Sequence, residues 1–510
     1  RLIMATARAT SIPAPVGGLN DRDSIADMKP QYALILDNWW PYPSYVGVRK
    51  GSSNHVTGFA NPVQTLVEYL PTSGGAKLFA AAGTGIFDVT TAGAVGAAVV
   101  TGQTLAQWQH ANVTTAGGSF LYLVNGQDRP QLYNGTTWTA IDGVSTPSIT
   151  GVTTTNLVHV AVFKSRLYFV VKNSMQVVFL PVGQVGGAVG TLDMSAIFRD
   201  GGSIMACYTW TVDAGAGADD HFVVISTMGE VAIYRGSNPG AGGDFSIVGV
   251  FQLGKPLGRR CAEKYGGDLA VNTTEGVFPL GRGLLSASVD RTVALTDKIQ
   301  NSVSIAANSY GSSFGWQLTL YPDANMMLLN VPNPGGNYQY AQNTITGAWT
   351  KFVGWNANVL LHASTGLYYA DNTRVYKAWV GDLDHSTPIQ ADCLPAFNYF
   401  GNKAFNKYFT MVRPYILTTG SPSVLYGLNT DYLAQDAQGT LNYTPPTGMV
   451  WGSMVWGSMV WGGGLRPITG WNTVGAVANS ASLRLKVQNN GSEVRFNNVD
   501  YLFQSSNSVL

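Results

Sequence analysis

One pattern recurs down the middle of the chain and restricts it more than anything else: an apolar strand, a glycine turn, then a second strand carrying an aromatic residue. Lys77-Leu-Phe-Ala-Ala-Ala-Gly-Thr-Gly85-Ile-Phe-Asp-Val shows it first. Further copies begin at Phe120, Arg166, His221, Asp268, Met326 and Gly366, giving seven units between about Val63 and Trp379. Their starts lie roughly 40–60 residues apart, close to the ~40–50-residue period of propeller blades. A lone hairpin leaves a sheet edge and an apolar face open to water. Radial stacking buries the faces and leaves only short edges. Glycine in the turn permits positive φ, and the aromatic that follows packs against the next unit. The expected fold is therefore all-β, a β-propeller of six to seven blades. A long meander or two sandwiches are the competing arrangements.

The flanks differ from this middle. Residues 1–60 read as an N-terminal arm with one short helix over Asp27–Asp37 and a first strand. Asp27 is a candidate cap, Pro30 sits in the first turn, and the stretch stops at Trp39-Trp40-Pro41. Residues 61–384 form the propeller. Residues 385–510 carry longer strands and read as a C-terminal antiparallel β-sandwich. Its closing hairpin is expected across Asn489-Asn490-Gly491, since Asn-Gly is a strong hairpin turn. Leu483, Leu485 and Val487 alternate with Arg484 and Lys486, which predicts one buried face. Within this part, residues 449–464 repeat Met-Val-Trp-Gly-Ser every five residues, a period of neither helix nor strand. Tryptophan is a preferred interface residue. Trp39, Trp40, Trp451, Trp456 and Trp461 are accordingly the candidate subunit or partner contacts, with packing onto their own domain as the alternative for the repeat.

Composition bears mainly on what to exclude. Net charge is +1 and charged residues make up only 12%, against roughly 25% in an average soluble protein. That lacks the basic footprint of a nucleic-acid binder and suits a large assembly, because low net charge promotes association. No apolar run reaches the ~18 residues of a membrane helix, so no membrane insertion is expected. Arg1-Leu2-Ile3-Met4 lacks the apolar core of a signal peptide, and Met4 is the expected start. Cys207, Cys261 and Cys393 are odd in number and widely spaced, which reads as buried free thiols.

Searches for chemistry return little. The six histidines show no metal-ligand spacing. Asp219-Asp220-His221 and Asp382-Leu-Asp384-His385 read as turn carboxylates, since neighbours on a strand point to opposite faces. Gly83-Thr84-Gly85 is a hairpin turn rather than a phosphate loop. The sialidase-type turn is half matched by Gly135-Thr136-Thr137-Trp138, but Gln131 and Tyr133 stand where Ser and Asp are needed. No catalytic, cofactor-binding or metal residue is assigned, and no enzyme activity is expected. A lectin-like propeller that stacks sugars on its aromatics is the alternative, and a glycosidase a more distant one.

The opening segment resembles a family. Pro15-Val-Gly-Gly-Leu19-Asn-Asp-Arg-Asp23 through Met28, then Ala33-Leu-Ile-Leu-Asp-Asn-Trp39 and Gly47-Val-Arg-Lys-Gly51, are similar to the N-terminus of tail proteins of short-tailed bacteriophages. Gly491-Ser-Glu-Val-Arg-Phe496 and the tryptophan repeat resemble that family's C-terminal part. The likeness covers the first ~50 and last ~120 residues; the middle matches in repeat style. It implies a tail hub or nozzle of the packaged-DNA-stabilisation type, located in the virion and made in the host cytoplasm. Such a protein forms a six-fold homo-oligomeric ring below the portal and adaptor. It continues the DNA channel with passive contact to the genome, and docks tailspike or fibre and needle or plug proteins.

Overall fold

The computed structural model describes residues 7–213, 218–240, 244–283, 291–441, 443 and 464–505. The chain is all-β, and most of it forms a propeller-like succession of antiparallel sheets, lettered here in chain order. Sheet A holds Val63–Tyr69, Lys77–Ala82, Gly85–Asp88 and Ala98–Val100. Sheet B holds Gln109–Thr115, Gly118–Val124, Gln131–Tyr133 and Trp138–Ala140. Sheet C holds Leu157–Phe163, Arg166–Val171, Gln176–Phe179 and Gly190–Asp193. Sheet D holds Ile204–Asp213, Ala218–Ser226, Glu230–Arg235 and Ser246–Gln252. Sheet E has three strands, Ala262–Tyr265, Asp268–Thr273 and Gly276–Pro279. Sheet F, Gln317–Tyr321, Met326–Val331, Tyr338–Asn343 and Trp349–Phe352, continues into a ten-stranded sheet. Sheet G joins Val359–Ala363, Gly366–Ala370 and Arg374–Ala378 to a strand from far upstream, Ser52–Thr57.

The repeat units read from the sequence are inner strands of these sheets, and their apolar runs have a simple cause. A strand sends alternate side chains to opposite faces, and here both faces are covered. In sheet B, Leu121 and Leu123 pack with Val67, Phe79 and Trp108 on the sheet A side. Tyr122 and Val124 pack with Leu157, Leu167 and Phe169 on the sheet C side. Similar cores lie between C and D, around Tyr168 and Phe222, and between D and E, around Val223 and Val271. Leu328, Phe352 and Tyr369 form one between F and G. The first strands of A, B, C and D touch in that order; D reaches E, E meets F, F meets G, and G returns to A. Val56 from the upstream strand packs with Val63, Ala80 and Val375 in the core that closes this circuit.

Outside the circuit two sheets face one another. The ten-stranded sheet runs on from sheet F through Gly18–Leu19, Tyr32–Asp37, Gln390–Pro395, Ala481–Gln488, Ser423–Thr430 and Gly439–Thr440. A seven-stranded sheet is built around Lys407–Thr418 and Val494–Ser505, with Ala7–Pro13 on the far edge of the latter. Leu483, Leu485 and Val487 meet Phe409, Val412, Phe496 and Tyr501 between them, while Arg484 and Lys486 point outward. The alternation read from the sequence thus holds. The expected hairpin does not: Ala481–Gln488 and Val494–Ser505 belong to different sheets. Asn490 and Gly491 do take positive φ, 49° and 75°, but the turn arches across the core instead of pairing its flanking strands.

The short helix expected over Asp27–Asp37 is also corrected. Tyr32–Asp37 is a strand, antiparallel to Gln390–Pro395 and parallel to Gly18–Leu19. A register shift between Ala33 and Ile35 puts Ala33 and Leu36 on the same buried face, three residues apart. That bulge gives a strand the spacing of a helix. Residues 7–60 are threaded into the fold rather than set apart from it. Their strands join both outer sheets, and Ser52–Thr57 completes sheet G. The longest helix among the described residues is Gln300–Tyr310, which no sequence signal marked. It lacks a cap of its own; the Asp21 carboxylate accepts from the Asn301 and Ser302 amides at 3.1 and 2.7 Å, about 280 residues away in the chain.

Arg49 locks these parts together. Its Nη1 and Nη2 donate to the two Asp384 oxygens at 3.0 and 2.6 Å, its Nε to Asn38 Oδ1, and the remaining N–H groups to the Lys50 and Val353 carbonyls. The guanidinium lies over the Trp355 ring at 4.6 Å. Beside it, Gly51 passes so close to Leu383 that a Cβ would fall 1.9 Å from the Leu383 carbonyl oxygen. Removing one partner of a buried pair strands the other charge. Arg49→Met should lower unfolding free energy by about 3–5 kcal/mol in urea melts. The double variant Arg49→Met with Asp384→Leu should recover much of it; a double variant as unstable as the single would count against the pairing.

Candidate functional site

The first strands of the sheets surround a cavity of about 450 Å³ on the axis of the circuit. Its wall includes His110 from sheet B, His159 from C, Glu263 and Lys264 from E, Thr319 from F and His362 from G. On a strand in this position alternate side chains face the two neighbouring sheets, and those nearest the axis also border the cavity. Gln109–Thr115 is an example: Val113 is buried in the core shared with sheet C, whereas His110 opens to the cavity.

Arg260, just ahead of sheet E, crosses the space. Its Nη2 donates to the Gln64 carbonyl at 3.2 Å, Thr65 Oγ1 at 3.1 Å and the Trp108 carbonyl at 3.0 Å. Those acceptors belong to sheet A and the entry to sheet B. Arg260 also borders a second cavity, of about 390 Å³, on the other side. It therefore partitions the axis. Enclosure lowers its own pKa to about 10 and, with Arg260 nearby, brings the His110 imidazole to about 4. His159 is 6% exposed, and burial, with Arg259 and His110 close by, holds it at about 3. Its Nδ1 accepts from the Cys207 amide at 3.4 Å, and Tyr208 packs on the ring edge. Burial raises the Glu263 carboxyl to about 7.

The residues singled out from the sequence lie elsewhere. Trp39 and Trp40 are 0% and 2% exposed. Trp39 packs on Phe496 in the outer core, and Trp40 on Phe352 and Trp379 beside sheet G. They are core residues and not contact surfaces, a correction that follows from the N-terminal segment being threaded through the fold. Trp451, Trp456 and Trp461 lie outside the described residues. The three cysteines are buried free thiols, and burial pushes the Cys261 thiol up to about 12. Asp382 and Asp384, read as turn carboxylates, pair with Lys50 and Arg49. Among the described residues no group of three His, Cys, Asp or Glu side chains is placed to hold a metal ion, and no helix is long and apolar enough to cross a membrane. The sequence reading missed the axial cluster. Its trace is visible in hindsight: His110, His159 and Cys207 are spaced by 49 and 48 residues, one repeat apart.

No described protein family matches the chain, and no curated protein does. Among solved structures, the chain is similar to a chain in the crystal structure of BBS1N in complex with ARL6DN, soaked with lead. The identity is 11% and the TM-score 0.37, over 65% of this chain and 98% of that one. So distant a likeness carries nothing about function.

The neutral, buried His159 makes a pH prediction. Its folded pKa lies below the ~6.5 of an unfolded histidine. Above pH 6.5 neither state is protonated. As pH falls from there toward 3, the unfolded state takes a proton that the folded state refuses, so stability drops. Between pH 7 and pH 5 this amounts to about 2 kcal/mol. Chemical denaturation of the wild type and His159→Gln at both pH values should show a smaller pH dependence in the variant by that amount. Equal slopes would mean that His159 takes up its proton in the folded protein at the same pH as in the unfolded one.

Proposed function

We propose that this chain is a structural subunit of a bacteriophage tail, a nozzle or hub that assembles as a ring beneath the portal and adaptor. In this reading sheets E and F count as blades, giving a seven-bladed propeller, and the two outer sheets form the C-terminal sandwich. The observation that carries the reading concerns the residues behind the family resemblance. Gly18, Asn20, Asp21, Asn38, Trp39, Arg49 and Gly51 are not scattered over the surface. They cluster where the propeller-like circuit joins the outer sheets. Gly18 sits against Trp349, where a Cβ would come within 2.5 Å of the carbonyl oxygen. Asn20 is fully buried and accepts from the Arg22 and Asp23 amides. Arg22 pairs with Asp297, and Lys298 with Asp23. Such residues define this particular two-module architecture, so the resemblance rests on side chains with structural work to do.

The subunit's own axis is not the DNA path in this account. Arg260 crosses it, and a 450 Å³ space is of small-molecule size. DNA instead passes through the lumen of the subunit ring, whose walls need little positive charge, since each phosphate contact adds salt-sensitive grip. The net charge of +1 supports a passive conduit. The role is structural and not catalytic. A closed ring needs two different, matching surfaces on each subunit, and tailspike, fibre or plug proteins take the remaining faces.

The test is the mass distribution of the purified full chain, alone and with a portal–adaptor complex, by mass photometry with negative-stain imaging. Rings of about six copies, formed alone or on the complex, are the expected result. A monomer that ignores the complex at micromolar concentration would rule the nozzle out, and a glycan array would then examine carbohydrate binding.

A further inference from the structure

We propose that the axial cavity is a binding site for a small oxyanion, a carboxylate or phosphate, gripped by Arg260, His159 and Thr319 with His110 beside them.

The first argument is shape. Because Arg260 partitions the axis, the cavity is a cup with a guanidinium at its floor, not a through-pore. Its volume of about 450 Å³ lies within the ~300–1,000 Å³ typical of ligand pockets.

The second argument is a surplus of donors without acceptors. Arg260 directs Nη2 to three protein oxygens, but its buried Nη1 has no hydrogen-bond partner among the described residues. Thr319 is 4% exposed, and its Oγ1 is likewise buried without a partner. His159 has its tautomer set: Nδ1 accepts from the Cys207 amide, so the proton sits on Nε2. That N–H has no partner among the described residues, and the ring lines the cup. A donor left unmatched in a buried place is unfavourable, and an acceptor brought to it relieves that cost. The residues that carry these donors lie on sheets C and F and just ahead of sheet E, and all three line this one cavity. A ligand bearing acceptor oxygens and negative charge matches all of them.

The third argument is charge. Arg260 and Lys264 bring two cations to the wall, and among the described residues Glu263 is the one carboxylate that lines it. The Glu263 carboxyl is held near pH 7 by burial, which weakens its opposition to an anion. Charge-assisted hydrogen bonds from a guanidinium to an oxyanion are among the stronger ones available.

The experiment is isothermal titration of the full chain with sodium phosphate and, separately, sodium acetate, each against sodium chloride at matched ionic strength. Saturable binding of one phosphate or one acetate per chain, absent with chloride, is expected. Which of the two binds more tightly tells phosphate from carboxylate. Thr319→Val, close in shape and lacking the hydroxyl, should weaken binding at least fivefold, and Arg260→Gln at least tenfold. Because Arg260 also ties sheet E to sheet A, the Thr319→Val and His110→Gln variants carry the test if Arg260→Gln does not fold. Heats no larger than those of chloride, or affinities unchanged in Thr319→Val and His110→Gln, would overturn the proposal.

Discussion

The Arg49–Asp384 pair is the contact on which the joining of the parts depends. A guanidinium offers five N–H donors, and each finds an acceptor: two carboxylate oxygens, the Asn38 side chain and two main-chain carbonyls. Asp384 also accepts from Trp355 Nε1 and Ser52 Oγ. Taking two charges out of water costs several kcal/mol per ion, and only full hydrogen bonding of both partners offsets it. The pair can thus exist only when residues 38–52, the end of sheet F and the segment after sheet G are all in place. It specifies the arrangement as much as it stabilises it. Three residues further on, Ser52–Thr57 pairs with Arg374–Ala378, more than 300 positions away, and closes the circuit. A strand from near residue 50 completing a sheet formed more than 300 residues later makes the circuit cooperative, because neither edge is covered until both segments are present.

The same logic runs through the N-terminal segment. Asp21 caps a helix that has no cap of its own, Trp39 fills the core between the outer sheets, and Asn38 holds a left-handed turn at φ 60° while bonding Arg49. The segment with the clearest family resemblance is therefore the one that ties the two halves of the molecule together. It is interior material. The cross-strand pair Tyr408 and Val477, both exposed on the seven-stranded sheet, shows that the outer module does present apolar groups to its surroundings.

How far the sequence could be read depended on where each residue's partners lie. The repeat was legible because the inner strands of each sheet are covered on both faces, which leaves unbroken apolar runs such as Phe120–Val124. Not every first strand is legible in this way: Gln109–Thr115 is exposed at His110 and Thr114 and lacks that signature. Tyr32–Asp37 looked helical because a bulge spaces its buried residues by three. Gln300–Tyr310 went unseen because its cap is about 280 residues distant. Asn490-Gly491 did mark a turn, but whether a turn makes a hairpin or an arch is decided by the sheets on either side. His110, His159, Thr319 and Arg260 converge only once the circuit is closed, so no local spacing could have united them.

Hydrogen–deuterium exchange tests the closure most directly. If Ser52–Thr57 is the strand that completes sheet G, its paired amides and those of Arg374–Ala378 should exchange together. Both should be as slow as the inner strands of sheets B and C, and Arg49→Met should accelerate both to the same degree. Rapid exchange of residues 52–57 beside a slow sheet G, or a response to Arg49→Met in only one of the two strands, would show that the circuit stands without them.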